Sequence, residues 1–165
     1  MFQLTSTPVE GQSALYEHLL EQTRALLAEE RDFIANCANL SSLIFHTLPD
    51  LNWAGFYFHR GGELVLGPFQ GKPACVRIAL GRGVCGRSAA ERRTVIVSDV
   101  QAFPGHIACD SASNAEIVVP LIAGDRLLGV LDLDSPRRGR FDDTDRIGLE
   151  AVVKELIGGS DEPRF

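Results

Sequence analysis

No stretch of this 165-residue chain approaches the roughly 18 consecutive apolar residues that a membrane span requires. Its N-terminus, MFQLTSTPVEGQ, has neither a basic flank nor an apolar h-region, which predicts no secretory signal. Positive charge is in short supply. Against 22 Asp and Glu stand 16 Lys and Arg, a formal charge of −6. Such a domain lacks the basic footprint that phosphate backbones demand, which argues against non-specific nucleic-acid binding. Internal repeats and low-complexity segments are missing. Cysteine is sparse, with four residues and no C-x-x-C pair. Without a signal peptide, these thiols predict a cytoplasmic setting, where any disulfide is transient and catalytic. A secreted disulfide scaffold, a membrane protein and a multidomain enzyme are set aside on these grounds.

What is present fits one domain spanning 1–165, since 45% of the residues are hydrophobic and 23% charged. Leu15, Leu19, Leu20, Ala25, Leu26 and Leu27 recur as on an amphipathic helix over Gln12–Ala28. A second helix is predicted from Arg31 to His46, with Phe33, Ile34, Cys37, Leu40, Leu43 and Ile44 as its apolar stripe and Pro49-Asp50 as its stop. Strand patterns follow at Asn52–Phe58, at Glu63–Gly67 across a Gly61-Gly62 turn, at Ala74–Leu80 and at Thr94–Val97. Gly86–Arg92 has room for two helical turns at most. Gln101–Asn114 is a polar loop with a turn at Pro104-Gly105. Ile117–Ala123 and Arg126–Asp134 form a hairpin around Gly124-Asp125. Pro136–Arg140 is a turn, and a last helix runs from near Asp142 to Gly158-Gly159. Helices at both ends with hairpins between them predict an α+β domain with a mainly antiparallel sheet. The helices should cover one sheet face and leave the other for a pocket.

Several motifs invite chemistry. Gly81-x-Gly83-x-x-Gly86 follows a strand, and Asp99 lies 18 residues beyond Gly81, in imitation of a dinucleotide fingerprint. The helical stretch after it is too short for a crossover and the chain reads as hairpins, so a tight turn with positive φ is the better account. The basic run Arg137-Arg138-Gly139-Arg140 reads as a solvated turn. Cys37 lies on a helix stripe and reads as an inert core thiol. Cys75 opens a strand, Cys85 lies in a glycine-rich turn and Cys109 in a polar loop, where thiols are accessible and can close on each other. A zinc site of Cys75, Cys85, Cys109 and His106 lacks the paired spacing zinc sites use.

Carboxylates form the other constellation. Alternation puts Asp132 and Asp134 on one strand face with Leu128 and Val130, a costly arrangement unless a cation neutralises them or one stays protonated. A two-residue turn at Gly124-Asp125 pairs Ala123 with Arg126 and so places Glu116 opposite Leu133, on the wrong face. Glu116 joins the aspartates only if the hairpin contains an irregularity, for which Pro120 is a candidate position. Trp53, Gly55 and Tyr57 share one strand face, suited to a pocket wall, and Ala54, Phe56 and Phe58 share the core-facing one.

Taken together, NWAGFYF, LVLGPFQGKPACVRI, GRGVCG, HIACDSASNAEIVVPL and GVLDLDS resemble the free methionine-(R)-sulfoxide reductases, stand-alone GAF-domain proteins. The resemblance covers about Asn52 to Phe141 and includes the cysteine spacing 75, 85, 109. It implies a GAF-like fold with a six-stranded sheet and N- and C-terminal helices packed on one face. It implies reduction of free L-methionine (R)-sulfoxide, with thioredoxin as reductant, no cofactor or metal, and a homodimer. By resemblance Cys109 is the nucleophile and Cys75 the resolving thiol, with Cys85 as third family cysteine that attacks first or relays the disulfide. Glu116, Asp132 and Asp134 match the substrate-binding carboxylates, and Trp53 and Tyr57 the pocket aromatics. The chemistry suits these residue types. A thiolate attacks the electrophilic sulfur while an acid protonates the departing oxygen, and clustered carboxylates supply that acid because ionising one raises its neighbours. The resulting sulfenic acid condenses with a second thiol, and an external dithiol exchanges with the disulfide. The substrate's α-ammonium pairs with an aspartate, which a peptide-bound residue cannot do. Glu116 and Asp134 are assigned to the sulfoxide and Asp132 to the amine. The rival expectations are a GAF module that senses a small molecule and a thiol switch without turnover.

Overall fold

The computed structural model describes residues 10–105 and 111–163. Four helices and six strands follow one another as α1 (Gln12–Leu27), α2 (Phe33–Thr47), β1 (Trp53–Arg60), β2 (Glu63–Gly71), β3 (Arg77–Ala79), α3 (Gly83–Glu91), β4 (Val95–Val97), β5 (Ala115–Ala123), β6 (Arg126–Ser135) and α4 (Asp143–Gly159). The strands form one antiparallel sheet in the order β3-β2-β1-β6-β5-β4. Among the described residues no helix is long and apolar enough to cross a membrane.

Local signals set most boundaries. Asp32 accepts a hydrogen bond from the Ala35 amide at 2.8 Å, which starts α2 at Phe33, two residues later than the Arg31 expected and at the first residue of its apolar stripe. Asp142 and Asp145 form a reciprocal capping box that fixes the start of α4. Gly61-Gly62 and Gly124-Asp125 make the two expected hairpin turns. The glycine motif is the tight turn expected of it, with Gly81 and Gly83 at positive φ and the Gly81 amide bonded to the Gly86 carbonyl at 2.7 Å.

Three differences from expectation shape the site. β2 runs on to Gly71 because a bulge opposite Gly55–Tyr57 absorbs Gly67-Pro68 without ending the strand. The third strand is only Arg77–Ala79, since Pro73 and Ala74 turn into a cleft. α3 begins at Gly83, so Cys85 lies in the first turn of a helix and not in a glycine-rich turn.

The sheet separates two apolar layers. On one face Ala54, Phe56 and Phe58 pack with Leu19, Leu40, Ile44, Leu149, Val152 and Leu156 of α1, α2 and α4. Each such fully buried side chain contributes about 1.5–3 kcal/mol. On the other face Trp53, Tyr57, Val118 and Val130 meet Val84, Cys85 and Ala89 of α3. That second face is not left bare as expected, because α3 roofs part of it.

The basic run at 137–140 is less solvated than expected. Arg137 pairs with Asp50 and Arg138 with Asp99 at the surface. Arg140 is buried, and its guanidinium lies 2.9 Å from Asp145, whose carboxylate also accepts from the Tyr16 hydroxyl at 2.8 Å and the Asp142 amide at 2.8 Å. This knot ties α1 to the start of α4. Asp145→Ala strands a buried cation, so a loss of about 3–5 kcal/mol is expected in urea unfolding. A loss below about 1 kcal/mol would show that the knot is dispensable.

Candidate active site

The register of three strands builds the site. Trp53 of β1 stands opposite Asp134 of β6, which stands opposite Glu116 of β5. One row along, Gly55 faces Asp132, and Tyr57 faces Val130 in the next. Glu116 reaches this face because the β5–β6 hairpin contains the required irregularity. Ile122 pairs with Leu127, but Leu121 pairs with Gly129. Leu128 is the extra residue, so the bulge lies in β6 and not at Pro120. The bulge also turns Leu128 into the helical core, while Val130 stays on the Asp132 side. Gly129 is needed there, since a Cβ would fall 2.1 Å from the Tyr57 carbonyl oxygen.

Trp53, Tyr57, Cys85, Glu116, Asp132 and Asp134 line one cleft. Its cavity is about 40 Å³, room for a few waters. The Trp53 ring lies parallel to Tyr57 at 5.9 Å and to Phe69 at 5.3 Å. Its indole N–H donates to the Lys72 carbonyl at 3.1 Å, which fixes the 72–76 segment at the rim. Cys85 Sγ lies 3.8 Å from Glu116 Oε1. Sequence reasoning missed Lys72, Arg82 and Ser113 in the lining. They lie in connections with no periodicity to mark them, and only the basic types of Lys72 and Arg82 could have hinted at an anionic ligand.

Cys75 is disulfide-bonded, whereas Cys37 and Cys85 are free thiols. Cys109 and His106 lie outside the described residues. Cys37 is fully buried in the helical layer, as expected of a core thiol.

Electrostatics in the cleft are dominated by missing solvent. Burial, then Asp132 and Asp134, holds the Glu116 carboxyl well above the usual range. Burial also raises Asp132, against hydrogen bonds from Cys85 and Glu116 that pull it down. The Cys85 thiol is pushed well up by burial and then by Asp132 and Glu116, and the Tyr57 phenol likewise by burial foremost. One oxygen of Asp132, a residue only 6% exposed, has no hydrogen-bond partner among the described residues. The cleft therefore holds protons at neutral pH and offers an orphan acceptor to a cation.

A stability consequence follows. Asp132 is pushed up to about 7 in the fold, from about 4 in an unfolded chain. The folded state binds the proton more tightly. The stability this contributes is complete below about pH 4 and is lost as pH rises through about 7. Thermal unfolding is expected to show a fall in Tm between about pH 4 and 7. Asp132→Asn should shrink that fall and be about 1–2 kcal/mol more stable at pH 8. A steeper fall in the variant would contradict the assignment.

The chain matches the GAF domain family over residues 36–156. It is 56% identical over 143 residues to protein YtsP of Bacillus subtilis, covering 86% of this chain and 88% of that protein. It is 50% identical over 146 residues to the free methionine-R-sulfoxide reductase of Escherichia coli, covering 88% of each. Among solved structures it is similar to the free methionine-R-sulfoxide reductase of Neisseria meningitidis in complex with its substrate. The TM-score is 0.92 at 43% identity, over 96% of this chain and 95% of that one. With a cleft of this shape on a GAF sheet and relatives this near, the chain belongs to the free methionine-R-sulfoxide reductase family of GAF-domain proteins.

Proposed function

We propose that this chain reduces free L-methionine (R)-sulfoxide to L-methionine. The observation that carries the reading is the cleft itself: Glu116, Asp132 and Asp134 converge beneath an aromatic wall, with protons held on buried carboxyls. In this reading the Cys109 thiolate attacks the sulfoxide sulfur. A carboxyl of the Glu116 and Asp134 pair gives its proton to the oxygen as the S–O bond breaks. The hydroxide so released attacks the Cys109 sulfur, the new S–S bond breaks, methionine leaves as the thioether, and Cys109 is left as a sulfenic acid. Cys75 displaces that oxygen as water, forming a disulfide that the thioredoxin dithiol reduces. The disulfide-bonded state of Cys75, with Cys37 and Cys85 free, agrees with this sequence of steps. Cys85 is a poor candidate for the attacking group. Burial foremost, and then the carboxylates beside it, keep this thiol protonated, and the thiolate is the nucleophile.

The orphan oxygen of Asp132 suits the substrate's α-ammonium, and the S-methyl group lies against Trp53. Lys72 and Arg82, at the rim with the first turn of α3, supply positive potential for the α-carboxylate. The enzyme works as a homodimer in this reading.

The test is methionine release with thioredoxin, its reductase and NADPH, from free L-methionine (R)-sulfoxide and from its N-acetyl derivative. Acetylation removes the ammonium and should lower kcat/KM at least about 100-fold, the scale for leaving a buried charge unpaired. No methionine from the free (R)-sulfoxide would refute the reading and favour a binding or sensing module; equal turnover of both compounds would refute selection through the α-ammonium.

A further inference from the structure

In the proposed cycle Cys85 neither attacks nor resolves, yet it stands among acidic side chains on the cleft floor. Its Sγ and one carboxylate oxygen each from Glu116 and Asp132 all lie within 4.8 Å of one another. All three residues are buried, with Cys85 4% and both carboxylates 6% exposed. The 3.8 Å between Cys85 Sγ and Glu116 Oε1 is close to the edge of a zinc tetrahedron. Zinc–sulfur and zinc–oxygen bonds of about 2.3 and 2.0 Å put that edge near 3.5 Å. An independent observation also points to a cation: the unpartnered Asp132 oxygen belongs to a residue that lines this cleft.

We infer that Cys85, Glu116 and Asp132 form a binding site for a thiophilic divalent cation, zinc above all, which blocks the cleft when occupied. A thiolate with two carboxylates suits zinc or cobalt and is a poor match for magnesium or calcium, which take oxygen donors alone. Binding sends the Cys85 proton, together with any proton held on Glu116 or Asp132, to solvent, and the three anionic ligands then exceed the two charges of the metal by one. A fourth position stays open toward the cleft. The metal occupies Asp132 and Glu116, the groups the proposed function assigns to the substrate, so zinc and methionine sulfoxide compete. The inhibition rests on that function; the metal site does not.

The test titrates Co²⁺ alone into the full-length chain, reduced with a phosphine. One equivalent should raise a thiolate-to-cobalt charge-transfer band, and one equivalent of Zn²⁺ should remove it. Cys85→Ser should abolish the band, while Cys75→Ser and Cys109→Ser retain it. Asp132→Asn, which keeps every thiol, should weaken cobalt binding at least tenfold and serves as the check should Cys85→Ser fail to fold. Absence of a band in the unmodified chain would overturn the site, as would a band that survives in folded Cys85→Ser or tracks Cys75 and Cys109. In turnover, Zn²⁺ should raise the apparent KM for the sulfoxide and leave kcat unchanged at saturation. Full activity in the zinc-bound protein would overturn the blocking role. A chain that binds cobalt through Cys85 but releases no methionine would refute the proposed function and leave the metal site standing.

Discussion

Cys109→Ser is expected to abolish methionine formation, lowering kcat by at least about a thousandfold, because a hydroxyl cannot replace the thiolate that takes the sulfoxide oxygen. Cys75→Ser should behave differently. It retains the attacking thiol, so each chain should release about one methionine in a rapid burst and then stall as a sulfenic acid without its resolving partner. Thioredoxin would find no disulfide to reduce. Cys85→Ser should keep multiple turnover, since burial and then the carboxylates around Cys85 hold it protonated and out of the cycle. Rapid-quench kinetics separate the three variants. Steady turnover by Cys109→Ser, or loss of the burst in Cys75→Ser, would reverse the roles assigned to them.

The second large effect concerns the acid. Glu116→Gln preserves shape and hydrogen bonding but removes the proton from the group that burial, Asp132 and Asp134 hold in its acid form. kcat should fall about 10²- to 10⁴-fold, the usual worth of a positioned general acid. In the unmodified enzyme the carboxyl pair carries its proton below its raised pKa and loses it above. The acid-dependent step should therefore run at full rate below that raised pKa and slow as pH rises through it. Glu116→Gln should lose that alkaline fall as well as the rate. Asp132→Asn should act mainly on KM, because the proposed function gives its orphan oxygen to the substrate's ammonium. A Glu116→Gln enzyme with unchanged kcat and the same pH limb would exclude the carboxyl as proton donor.

Much of this site can be read from residue types and alternation. The aromatic run NWAGFYF tells its two faces apart because Phe56 and Phe58 have no polar atoms, while Trp53 and Tyr57 carry a polar tip that needs a cleft or a partner. The paired aspartates stand out because an apolar strand ends in two like charges. The position of Glu116 shows both the reach and the limit of such reasoning. Counting from the turn shows that an irregularity is needed to bring Glu116 to Asp134, but not where it lies. Pro120 attracts suspicion by lacking an N–H, yet Leu128 beside Gly129 takes the bulge, because only glycine can pass so close to the Tyr57 carbonyl. That contact links β6 to β1, which are far apart in the chain, and no local pattern encodes it. The same limit explains Arg140. Its neighbours in sequence read as a solvated basic turn, but Asp145 reaches it from α4 and is itself held by Tyr16 of α1. It also explains α3, whose start at Gly83 follows from packing Val84 and Cys85 onto the sheet and not from helix propensity.

The central claim is that thiols and carboxyls distant in sequence act on one sulfoxide. Its most direct test is a single turnover. Fully reduced enzyme is mixed with one equivalent of free L-methionine (R)-sulfoxide, quenched with an alkylating agent and mapped by mass spectrometry. The account predicts one methionine per chain, a new disulfide between Cys75 and Cys109, and alkylated Cys85. Enzyme that returns all its thiols alkylated, with the sulfoxide unchanged, would contradict it.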